Sequence, residues 1–90
     1  MNKQLYKKLL DSVPDKFKKD VEDEIDFNHM ELEPMDKNDF TTVCRWVLDG
    51  KKLHLRRVIE NASIEYIEER NKELKELEDY INKLESEEIV

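Results

Sequence analysis

The sequence predicts an α+β domain: an N-terminal helical segment, a small antiparallel sheet with a hairpin turning at Asp49-Gly50, and a long C-terminal helix. Three observations predict it. Apolar residues recur at helical spacing on either side of Pro14. Around Asp49-Gly50 two arms alternate in matching register. From Ile64 one apolar stripe runs toward the C-terminus, uninterrupted by Gly or Pro.

The N-terminal segment reads as two helices or one kinked helix. Leu5, Leu9 and Leu10 share a face over residues 3–12, with Tyr6 and Val13 nearby. Ser12 or Val13 then serves as cap, with Pro14 at the first helical position, where its missing N–H costs nothing. Phe17, Val21 and Ile25 recur every four residues to about Asp26.

The middle decides the fold. Asp-Gly favours the type I′ turn, whose two central residues need positive φ. A two-residue loop pairs Leu48 with Lys51, Trp46 with Leu53 and Cys44 with Leu55. One face of the 43–55 hairpin then carries Cys44, Trp46, Leu48, Leu53 and Leu55, and the other is basic. Thr, Val and Trp in the first arm suit a strand. Residues 28–33 alternate too and offer a third strand, held to an edge by Pro34. The rival reading is all-α, with residues 37–49 helical. Phe40, Val43, Cys44, Val47 and Leu48 then share a face, Asp36 caps the helix and Gly50 ends it. Trp46 is core in the hairpin; in the helix it lies off the stripe and becomes a contact anchor.

The C-terminal helix is expected over 64–88, capped by Asn61 or Ser63. Ile67, Leu74 and Ile81 are seven apart, as are Leu77 and Leu84, which is coiled-coil spacing. These five residues are the candidate seam of a homodimer. The helix is expected to cover the sheet through Ile59, Ile64 and Ile67. Its length of about 36 Å exceeds what a small globule needs, so part of it projects or meets a partner.

Ninety residues make one domain, 1–90. Charged residues are 43% of the chain against an average of about 25%, and they come in blocks. Residues 1–19 carry +4, residues 20–36 carry −8 with no Lys or Arg, residues 37–57 carry +4, and the remainder −7. The acidic block, Asp20, Glu22, Asp23, Glu24, Asp26, Glu31 and Glu33, is the candidate partner-binding surface. The basic residues Arg45, Lys52, His54, Arg56 and Arg57 form the alternative face, for nucleic acid. The net charge of −7 weighs against a chain-wide nucleic-acid footprint.

Catalytic motifs are missing. There is no phosphate-binding glycine loop, no spaced cysteine pair for zinc and no Gly-x-Ser-x-Gly elbow. Cys44 reads as a small core residue and His54 as an exposed strand residue. Glu22, Asp26 and His29 have helical spacing for a cation but lack the pattern of a calcium loop. No enzyme activity, metal or cofactor is expected. The single cysteine suits a reducing compartment, and the absence of a signal peptide or membrane span points to the cytoplasm. Abundant Lys, Glu, Asp, Asn and Ile fits an AT-rich genome, such as that of a low-GC bacterium or its phage. The expected function is a non-catalytic acidic protein-binding regulator, an inhibitor or adaptor. In its bolder form it is a nucleic-acid mimic that occupies a partner's basic groove. The alternatives are a small nucleic-acid-binding protein using residues 45–57 and a coiled-coil assembly subunit.

Overall fold

The computed structural model describes residues 2–86, and the residues described form four α-helices and no strand. Helix α1 spans Asn2–Ser12, α2 Asp15–Phe27, α3 Lys37–Val58 and α4 Ile64–Glu85, with one 3-10 turn at Ile59–Asn61 between the last two. The fold is all-α. The expected sheet, the 43–55 hairpin and the third strand at 28–33 are all overturned.

The physical reason lies in α3, which runs unbroken through Asp49-Gly50. A type I′ turn needs positive φ at both central residues, and neither Asp49 nor Gly50 has it. The helix starts at a capping box. Asp36 accepts from the Asp39 N–H at 2.8 Å, and Asp39 accepts in return from the Asp36 N–H at 3.4 Å. Thr41 and Thr42 donate to the carbonyls of Lys37 and Asn38, so their hydroxyls are satisfied within the helix. Phe40, Val43, Cys44, Val47 and Leu48 are buried together. That shared burial outweighs the strand preference of Thr, Val and Trp. The apolar face expected of the hairpin is divided: Cys44, Leu48 and Leu55 are buried, whereas Trp46 and Leu53 are exposed.

Between α2 and α3 the segment 28–36 is a loop. Asn28 caps α2, and His29 adopts φ 54. The N–H groups of Met30 and His29 return to the carbonyls of Ile25 and Asp26 at 3.1 Å each, which is the Schellman arrangement that stops a helix. Leu32 is half-buried, and Met35 is buried in the core.

Helix α3 packs against α1, α2 and α4. Phe17, Val21 and Ile25 enter the core from α2 as their spacing predicts, and Leu77, Tyr80, Ile81 and Leu84 enter from α4. Pro14, expected at the first helical position behind a cap at Ser12 or Val13, is instead itself the cap, and α2 begins at Asp15. Ser63 caps α4, accepting from the Tyr66 N–H at 3.1 Å. Positions 87 and 88 of the expected C-terminal helix lie outside the described residues. Tyr80 ties α4 to α1: its hydroxyl lies 2.7 Å from that of Ser12, and both reach the Leu9 carbonyl.

Ile59, Ile64 and Ile67 do not cover a core as expected. The first two are exposed and the third is half-buried. Between Leu48 and Leu77, Leu55 is the single buried residue. The helix lengths explain this. Helices α1 and α2 have 11 and 13 residues against 22 each in α3 and α4, so they cover roughly half of the longer pair. The rest of α3 and α4 extends as an arm from a molecule measuring 46 × 28 × 18 Å.

Candidate docking groove

Where α2 leaves the α3–α4 pair, an open groove of about 620 Å³ lies between the three helices. Val47, Leu55 and Leu74 give it apolar lining, and Phe27 and Trp46 add two aromatic rings. Phe27 is 80% exposed and Trp46 41%. Gly50 widens the groove: a Cβ placed there would meet nothing within 4 Å.

The polar lining is two-signed and partly self-paired. Asp20 holds Lys51 at 2.9 Å between α2 and α3, and the Lys51 ammonium also stands 5.6 Å above the Phe17 ring. Arg70 pairs with Glu73 at 3.1 Å and stacks on Tyr66. Its Nε is buried without a hydrogen-bond partner among the described residues. Asp23 and Glu24 stand on the α2 side, held by Lys19 at 3.7 Å and Asn28 at 3.3 Å. His54 lines the α3 side.

The acidic set of the sequence is not one surface. Asp20, Asp23 and Glu24 line the groove. Glu22 and Asp26 lie on the other flank of α2, near enough to Tyr6 to raise its pKa, although burial contributes more. Glu31 and Glu33 are exposed in the loop after α2. The basic set is divided as well. Arg45, Lys52 and Arg56, at i, i+7 and i+11, share the outer face of α3, and Arg45 is ion-paired with Glu85 of α4. His54 belongs to the groove, and Arg57 lies near the end of α3. Of the seam residues, Leu77, Ile81 and Leu84 are buried in the chain's own core. Leu74 is half-buried against that core and Ile67 is half-buried beyond it. A dimer seam along all five would have to open the fold.

Burial pushes the Cys44 thiol up to about 12 and leaves it no exposed surface, so it supplies no thiolate near neutral pH. His54 follows ten residues later on α3, about 15 Å along the axis. Among the described residues no three His, Cys, Asp or Glu side chains converge to hold a metal ion. His29 turns left-handed and takes no place on the face of Glu22 and Asp26. No helix among them is long and apolar enough to cross a membrane.

Phe27 escaped sequence reasoning because it falls off the Phe17–Val21–Ile25 stripe. That displacement was itself the available signal, since an aromatic off the buried face of a helix is exposed. Comparison of the chain with protein-family models, with curated proteins and with solved structures finds no match.

Proposed function

We propose that this chain is a non-catalytic protein-binding regulator, an inhibitor or adaptor, that docks a basic amphipathic helix of its partner in the α2–α3–α4 groove. The observation that carries the reading is Phe27 and Trp46, two exposed aromatic rings beside Asp20, Asp23 and Glu24 in one concave site. Aromatic anchors in a concave site are what helix-in-groove recognition uses. Covering a Phe ring contributes about 1.5–3 kcal/mol, and the lining, whose four carboxylates outnumber Lys51 and Arg70, favours a partner of positive charge.

Trp46 is the only tryptophan, so its emission reports occupancy directly. Titration with a Lys/Arg-rich amphipathic helical peptide should shift that emission. Phe27→Ala should weaken binding about tenfold or more, a loss of ~1.4 kcal/mol. Raised salt should weaken it further. Lys52→Ala, on the outer face of α3, should leave it unchanged. Binding indifferent to Phe27→Ala would place the docking surface elsewhere.

A second form of the same reading is charge imitation, in which carboxylates stand in for nucleic-acid phosphates on a partner's basic groove. It is supported by Glu22, Asp26, Glu31 and Glu33, which are exposed and make no ion pair among the described residues. Neutralising those four should then release the partner while Phe27→Ala does not. The two forms are separated by which set of substitutions acts.

A further inference from the structure

We infer that the projecting half of the α3–α4 hairpin is a self-association surface, on which a second copy of this chain packs about a two-fold axis. The surface is distinct from the groove and from the seam residues Leu77, Ile81 and Leu84, which the monomer's core already uses.

The arm lacks what holds a helix pair together. Leu55 is its single buried residue, while helices in water depend on an apolar face covered by packing. Ile64 is 75% exposed and Leu53 46%, and Ile59 and Tyr66 are exposed as well. The whole molecule reflects this. A compact monomer of 10.9 kDa exposes about 5,600 Å², whereas this chain exposes 6457 Å². The surplus, on the order of 900 Å², is close to one partner's share of a standard interface. Its radius of gyration, 14.0 Å, likewise exceeds the roughly 12 Å of a compact chain of this length.

Charge identifies the occupant. The end of α3 carries Lys52, Arg56 and Arg57; the turn and start of α4 carry Glu60, Glu65, Glu68 and Glu69. Among the described residues none of these seven makes an ion pair, within the arm or outside it. An isologous interface presents the same patch from both subunits, so the cations of one copy meet the carboxylates of the other, twice over. A patch that is half basic and half acidic is its own complement. Two such hairpins make a four-helix arrangement, the usual way to bury faces of this kind.

The test is the mass of the full chain in solution, by sedimentation equilibrium across a wide range of concentration, with circular dichroism as the check on folding. The wild type is expected to form a dimer that dissociates on dilution. Ile64→Glu should raise the dimer Kd about tenfold or more. Arg56→Glu with Arg57→Glu should do the same, and adding Glu65→Arg and Glu68→Arg should restore the dimer at least in part, because the pairs these four residues form across the interface are then inverted together. A wild type that stays monomeric at the highest concentration overturns the inference. So does a dimer indifferent to both Ile64→Glu and the charge reversal. Should Ile64→Glu lose helicity, the reversal and its rescue decide alone.

Discussion

Tyr80 and Cys44 show how burial converts ordinary side chains into pH-sensitive ones. Burial raises the Tyr80 phenol to about 12, with its hydrogen bond to Ser12 acting in the opposite direction. Burial alone raises the Cys44 thiol to about 12. Both groups are neutral in the folded core, so the unfolded chain releases their protons at lower pH than the native one does. Stability from this source is therefore complete below their ordinary values of 9.0 and 10.0, and is lost as pH rises from there toward 12. Urea unfolding midpoints should fall progressively above about pH 9. Cys44→Ala should remove the earlier part of that slope and Tyr80→Phe the later part. Identical slopes in all three proteins would mean that other groups govern the alkaline loss.

At the scale of the element, α3 is where propensity and packing disagree. Gly50 sits inside a 22-residue helix without positive φ and with open space where a Cβ would go. Gly50→Ala should therefore stabilise the protein by about 0.5–1 kcal/mol, through lower backbone entropy in the unfolded chain. In a type I′ hairpin the same substitution would be destabilising, because alanine resists positive φ. Thermal melts of the two proteins thus distinguish the folds by the sign of one shift. Helix α4 shows the opposite case: Ser63, one of the two caps the sequence offers, starts the helix, and Leu77, Ile81 and Leu84 lie on one buried face of it, although that face is turned to the chain's own core and not to a dimer seam.

For the molecule as a whole, stability is concentrated at one end. The core draws on all four helices around Phe17, Phe40 and Leu77, while the arm contributes Leu55 alone beyond Leu48. Leu77→Ala should accordingly cost about 2–5 kcal/mol. Ile64→Ala, measured on dilute protein, should lie within about 0.5 kcal/mol of wild type. At high concentration the Ile64 substitution should cost more if the arm pairs with a second copy, since association adds to apparent stability. Denaturation at two concentrations therefore separates the arm's role in the monomer from its role in assembly.

Much of this architecture is written in local pattern. The stripe Phe17–Val21–Ile25, a cap at Asn61 or Ser63, the stripe Leu77–Ile81–Leu84 and the alternation of charged blocks determine two helices, α2 and α4, and a polar surface without reference to tertiary structure. Residues 40–55 are different, because Cys44, Leu48 and Leu55 fall on the apolar face at a period of 2 and of 3.6 alike. The choice between hairpin and helix then rests on whether Phe40, Val43 and Val47 find a surface to pack against, and α1, α2 and α4 supply it. The groove was less legible still. Phe27 and Trp46 are apolar in the sequence and exposed in the fold, since burial depends on what stands opposite a side chain. Two short helices cannot cover two long ones.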